Sequence, residues 1–129
     1  MSTPPPDAPA QGLLLFAHGA RDPRWAEPFE AVAARVRAQR PGLAVRLAFL
    51  EFMQPELPQA AAELVGGGCR RIDVLPLFLG AGGHVRKDLP ALMERLQAEH
   101  AGVHFTLHAA IGEMPDVIDA MAAAAARLP

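Results

Sequence analysis

Short unbroken apolar runs alternate along this chain with stretches in which apolar residues return every third or fourth position. Gly12-Leu-Leu-Leu-Phe-Ala17 is a continuous run, the pattern of a strand covered on both faces. Phe29, Val32, Ala33 and Val36 follow at helical spacing. Pro23 and Pro28 fit only near that helix's start, where backbone N–H groups have no partner anyway, and Pro41-Gly42 ends it. Leu43 to Leu50 predicts a second strand, with Glu51 at its exit. A second helix is expected from Pro55 to Val65, with Pro58 in its first turn and Gly66-Gly67-Gly68 as its stop. Arg71 to Phe78 predicts a third strand and Leu79 to Val85 a glycine-rich loop. Leu89, Leu92, Met93 and Leu96 mark a third helix. Val103, Phe105 and Leu107 alternate with His104, Thr106 and His108, the period of a strand with one wet face, hence an edge. Met114 to Leu128 reads as a closing Ala-rich helix.

Strands separated by single helices run parallel with right-handed crossovers. The expected architecture is therefore α/β: a three-layer α/β/α sandwich on a four-stranded parallel sheet, in the flavodoxin-like order 2-1-3-4. Residues 1–11 carry four prolines and no periodicity, and are expected to form a disordered tail before a single domain over 12–129. The length of 129 residues suits one domain. Leu, Ile, Val and Phe make up 33 of those residues, above the roughly 20% floor for a foldable core.

Charge narrows the function. Twelve basic against fourteen acidic side chains leave a net charge of −2, which argues against a nucleic-acid binder. No apolar run is long enough to span a bilayer, and no secretory signal is evident, so no membrane partner and a cytoplasmic location are expected. With one cysteine, Cys69, an internal disulfide or a Cys-built metal site is excluded.

In open parallel sheets, ligands bind beyond the carboxyl ends of the strands, where strand order reverses. Strand one exits into Ala17-His18-Gly19-Ala20-Arg21, strand two into Leu50-Glu51-Phe52, and strand three into Leu79-Gly80-Ala81-Gly82-Gly83-His84. His18, Glu51 and His84 therefore gather at one edge. Two imidazoles and a carboxylate suit a borderline divalent metal such as cobalt, nickel, iron or zinc, and three protein ligands leave positions open for transfer. Gly80 to Gly83 would let backbone approach a phosphate or a flat macrocycle closely. Leu79, Phe78, Phe52, Met53 and Trp25 offer apolar area, and Arg21, Arg24, Arg86 and Lys87 a cationic rim. A greasy wall with such a rim suits a planar, carboxylate-bearing ligand. His100, near a helix C-terminus, and His104 and His108, on the wet face of the edge strand, are expected to be structural or simply exposed. Cys69 is expected to be an inert small hydrophobe.

The segments Leu13-Leu-Leu-Phe-Ala-His-Gly-Ala-Arg-Asp22, Leu47-Ala-Phe-Leu-Glu51 and Pro76-Leu-Phe-Leu-Gly-Ala-Gly-Gly-His-Val-Arg-Lys-Asp-Leu-Pro90 resemble the short form of the CbiX/SirB family of class II chelatases, the sirohydrochlorin cobalto- or ferrochelatases. The resemblance runs from about Gly12 to Gly112 and is most specific over Pro76 to Pro90. It implies a lyase that inserts cobalt or ferrous iron into sirohydrochlorin for cobalamin or sirohaem. His18 and His84 would be the metal-binding histidines, and Glu51 a further ligand or proton acceptor. Leu79, Gly80, Ala81, Gly82 and Gly83 would lie against the tetrapyrrole, with Arg21 and Arg86 on its acidic side chains. The expected cofactor is none beyond the substrate metal (Co2+, Fe2+ or Ni2+). Ala20 stands where the family often has Ser, so one hydroxyl contact is lost. A single lobe also implies a homodimer that encloses the substrate.

Two other readings compete. A histidine phosphatase needs Arg just before its His, and here that position is Ala17. A metal carrier or tetrapyrrole-binding module would hold the same ligands without accelerating insertion.

Overall fold

The apolar run near the start of the chain becomes the second strand across a four-stranded sheet. The computed structural model describes residues 10–80 and 82–129, with His84 and Arg86 described in their backbone alone. Strands β1 (Gln11–Ala17), β2 (Ala44–Phe49), β3 (Arg71–Pro76) and β4 (His104–Leu107) are all parallel, in the order β2-β1-β3-β4. Helices α1 (Glu27–Gln39), α2 (Leu57–Gly66), α3 (Gly83–Glu99) and α4 (Pro115–Ala126) follow the strands in turn, with 3₁₀ turns at Pro23–Ala26 and Ile111–Glu113. The expected α/β class, strand order and edge position of β4 are all present.

Each sheet face buries its own layer. Leu14, Phe16, Ile72, Val74 and Phe105 pack against Leu57, Ala60, Ala61 and Leu64 of α2 and Leu89 and Leu96 of α3. On the opposite face, Leu15 and Val45, with half-buried Leu13, Leu47 and Leu75, lie beneath Phe29, Val32, Ala33 and Val36 of α1. The β2 edge is closed by charge. The Val45 carbonyl accepts from Arg37 at 2.9 Å and from Arg46 at 3.1 Å, which discourages a foreign strand from pairing there.

Several boundaries differ from the sequence pattern, each for a physical reason. Gln11 belongs to β1, and the Ala10 carbonyl accepts the N–H groups of Arg70 and Arg71 at 2.8 and 3.2 Å. Ladder bonds are made by backbone, so the sheet begins before the apolar run does, and residues 10 and 11 are not tail. The rest of that expected tail, 1–9, lies outside the described residues. Helix α3 starts at Gly83, within the stretch expected to be loop, and runs through Pro90. Gly82, in extended backbone, is its N-cap, and only Val85, four residues before Leu89, carries the apolar spacing back toward that start. The expected closing helix does not close on the sheet: no residue of α4 is buried, and its substantial contacts are confined to the 3₁₀ turn before it. Alanine gives α4 strong helix propensity but little side chain to anchor it.

The remaining histidines and the cysteine hold places in the scaffold. His100 caps the C-terminus of α3, and His104 is exposed. His108 is exposed but not free: its Nε2 lies 2.8 Å from Asp73 Oδ1, and Gln11 Nε2 donates to Asp73 Oδ2 at 3.1 Å. The wet face of β4 thus carries a polar tie across β1, β3 and β4 that alternation alone does not reveal. Cys69 is buried, and that burial pushes its thiol up despite the opposing charge of Arg46.

Candidate functional site

The sheet order sets β1 between β2 and β3, so the three exits share one edge. Backbone bonds then zip them together. Leu50 N–H donates to the Ala17 carbonyl at 2.9 Å, and Glu51 N–H to the His18 carbonyl at 3.0 Å. Leu77 N–H donates to the Phe16 carbonyl at 2.7 Å, tying the β3 exit to the other side of β1. The close pass of the first two loops requires glycine. Gly19 has φ +90°, and a Cβ there would lie 1.8 Å from the Glu51 carbonyl oxygen.

His18 is exposed, and its ring rests on Phe78 with centroids 4.2 Å apart and planes tilted by 31°. Phe78 is buried, so it is a fixed floor for an imidazole otherwise open to solvent. Glu51 is exposed on the adjoining loop. Phe52 follows with φ 67°, a left-handed backbone that leaves its ring 58% exposed, and the Arg21 guanidinium sits 5.1 Å from that ring's centroid. Leu79, 73% exposed, is pressed at its backbone against Gly112, whose N–H donates to the Phe78 carbonyl at 2.9 Å. Gly80 and Gly82 are exposed, and Gly83 opens α3 rather than lying in a loop. The N-cap is Gly82, which has no side chain to offer the first N–H groups of that helix.

His18, Glu51, Arg21, Leu79, Gly80, Gly82 and Gly83 are thus brought to one edge. The backbone of His84 is there too, as the second residue of α3. The side chains of His84 and Arg86, and all of Ala81, lie outside the described residues. Among the described residues there is no cluster of three or more His, Cys, Asp and Glu side chains able to hold a metal. His18 and Glu51 are the two members of the expected set whose positions are described.

The rim and wall differ in detail from expectation. Arg24 is paired with Asp22 at 3.2 Å, and its bonds hold that carboxyl below the usual carboxylate range. Trp25 is not part of the wall: it is half-buried, stacks on Phe29 at 4.6 Å, and packs with Ala17, Ala26 and Phe49. The helical register of Phe29 draws it inward. Lys87 is exposed near the start of α3. Two cavities flank the Leu50–Phe52 turn. One of about 300 Å³ is lined by Arg21, Phe52, Met53 and Gln54, and one of about 310 Å³ by Leu50, Val85, Asp88 and Leu89. A larger hollow of about 430 Å³ runs along the β2 edge, lined by Arg37, Arg46, Gln59 and Glu63, and reaches Phe49, Gln54 and Pro55 at the β2 exit.

Sequence reasoning did not find Phe78 as the support of His18, nor Gly112 as the seat of Leu79. The first is an aromatic inside an apolar run, which periodicity assigns to core. The second is an ordinary glycine near a helix, and only the fold brings it to Leu79.

The CbiX family model matches residues 12–128. A sirohydrochlorin cobaltochelatase from Methanocaldococcus jannaschii is 32% identical over 90 residues, covering 70% of this chain and 63% of that protein. The chain spans somewhat less than two thirds of the length of such curated relatives. The crystal structure of a CbiX protein from Marinobacter aquaeolei VT8 is similar at a TM-score of 0.79 and 38% identity, over 90% of this chain and 94% of that one. Sirohydrochlorin chelatase SirB from Bacillus subtilis subspecies spizizenii, in complex with cobalt, shares the fold at a TM-score of 0.78 and 22% identity, over 92% of this chain and 50% of that one.

Proposed function

The chain belongs to the CbiX family, and we propose on that premise that it is a chelatase inserting cobalt or ferrous iron into sirohydrochlorin, toward cobalamin or sirohaem. The observation that carries this reading is the zipped edge: Glu51 N–H on the His18 carbonyl at 3.0 Å, beside the start of the helix that bears His84. That edge offers an imidazole and a carboxylate on adjoining loops, next to exposed Leu79 and Phe52.

Insertion removes two pyrrole N–H protons and puts one divalent ion in their place. His18 and His84, neutral, would hold the incoming metal over one face of the ring. Glu51, or an imidazole freed as the ion leaves, would accept the protons. Arg21, steadied on Phe52, would bind a carboxylate of the macrocycle and orient it, and Arg86 would serve the same end. Leu79, Gly80, Ala81, Gly82 and Gly83 would lie against the flat ring. The metal is substrate, and this chemistry calls for no further cofactor. The reading includes a cytoplasmic homodimer enclosing the tetrapyrrole between subunits.

The test mixes the chain with sirohydrochlorin and Co2+ or Fe2+ and follows the visible spectrum against the spontaneous rate. Acceleration is expected, and His18→Ala and His84→Ala should each return the rate to the spontaneous one with the fold retained. Acceleration that survives either change would remove that residue from the site. Metal binding without acceleration by the unaltered chain would favour a carrier instead.

A further inference from the structure

Beside the zipped turn, an aromatic ring is held in solvent on a backbone that disfavours it. Phe52 has φ 67°, in the left-handed region that a bulky L side chain rarely adopts. Its ring is 58% exposed, and it joins none of the apolar clusters, although Phe49 before it and Met53 after it do. Packing in the core therefore does not offset the strain. The chain on either side holds it there. The Leu50 and Glu51 N–H groups are bonded to the Ala17 and His18 carbonyls, and the Phe49 N–H donates to the Pro55 carbonyl at 2.9 Å. Strain that the surroundings enforce is characteristic of a functional position. One face of the ring is already covered, by the Arg21 guanidinium 5.1 Å from its centroid. Among the described residues Arg21 has no carboxylate partner, whereas Asp22 holds Arg24 at 3.2 Å.

We infer that Phe52 is a specificity-determining residue for the macrocycle: its uncovered face receives the flat ring, while Arg21, against its other face, takes a carboxylate at the ring's edge. An aromatic side chain pairs with a second π surface in an offset stack. A guanidinium on an exposed side chain is mobile, and seating it on an aromatic face fixes its position relative to whatever lies on the opposite face. Together the two groups select a ligand that is both flat and carboxylate-bearing. The cavity of about 300 Å³ lined by Arg21, Phe52, Met53 and Gln54 gives the carboxylate arm its place. Glu30 lines the same cavity, and its charge keeps that carboxylate toward the guanidinium. The stack is the same before and after the metal enters the ring, so it contributes to binding and not to rate. The assignment rests on the chelatase reading of this edge, and its test separates the two.

Binding is read by fluorescence quenching of a metal-free polycarboxylate porphyrin, and insertion with sirohydrochlorin and Co2+. Phe52→Gly suits the left-handed turn and removes the ring. It should weaken porphyrin binding about 10-fold and raise KM for sirohydrochlorin by a similar factor. The kcat and the KM for Co2+ should not change, and Tm should be no lower than in the wild type. Phe52→Trp should bring binding back to within about 2-fold of the wild type. Arg21→Leu should weaken binding in the wild type but add little to Phe52→Gly, because the guanidinium has then lost its seat. Binding indifferent to Phe52→Gly, a loss of affinity matched by a fall in Tm, or fully additive losses from the two positions would each overturn the assignment. Phe52-dependent porphyrin binding by a chain that does not accelerate insertion would uphold it and remove the chelatase reading alone. Insertion by a chain whose porphyrin binding ignores Phe52 would do the reverse.

Discussion

A methyl group at Gly19 would have to sit 1.8 Å from the Glu51 carbonyl oxygen, on a backbone whose φ of +90° already strains any L side chain. Both faults act on the one turn that holds His18 beside Glu51. Gly19→Ala is therefore expected to cost about 2–3 kcal/mol in urea unfolding and to slow insertion beyond what the stability loss explains. His18 and Glu51 were legible in the sequence because strand exits can be read from where apolar runs stop. The Phe78 ring under His18 was not, since it joins residues 60 positions apart across two strands. For the same reason the pairing of His108 with Asp73 escaped the alternation of β4, which sorts faces but not partners.

At the level of elements, α3 shows how a helix can be hidden. Its first turn holds one apolar residue, Val85, among glycine and polar neighbours, and that residue falls inside the glycine-rich stretch read as loop, so the sequence pattern starts the helix six residues late. Pro90 deepens the disguise. Inside the helix it has no N–H for the Arg86 carbonyl, and its ring crowds that turn. Pro90 is exposed and contributes nothing to the core. Pro90→Ala should therefore stabilise the chain by about 1–3 kcal/mol, read as a higher Tm. The strands posed no such problem. The run of β1 is apolar on both faces from Leu13 on, the mark of an interior parallel strand, and β3 keeps Ile72, Val74 and Leu75 apolar despite Asp73.

For the molecule as a whole, the order of layers followed from alternation and handedness, while the fate of the last helix did not. An alanine-rich segment declares that it is helical without declaring what it packs on. The acid limit of stability is likewise a property of the assembled sheet. Burial alone would raise the Asp73 carboxyl, but hydrogen bonds from His108 and Gln11, with the charges of His108 and Arg71, outweigh it and hold it below the ordinary 3.8. A carboxyl depressed on folding adds stability above its unfolded value and loses it as pH falls through the folded one. The wild type should then exceed Asp73→Asn in denaturant stability at pH 7, and the gap should shrink progressively below about pH 3.8. A gap independent of pH would mean that Asp73 acts through packing rather than charge.

The backbone crossing of Gly112 on Leu79 has a mechanical consequence. With no room for a side chain between them, the joint behaves as a short stiff lever, one arm continuing into α4 and the other into the exposed rim of the crevice. A side chain at Gly112 would have to displace the Leu79 backbone, and with it the rim, or the turn that leads into α4.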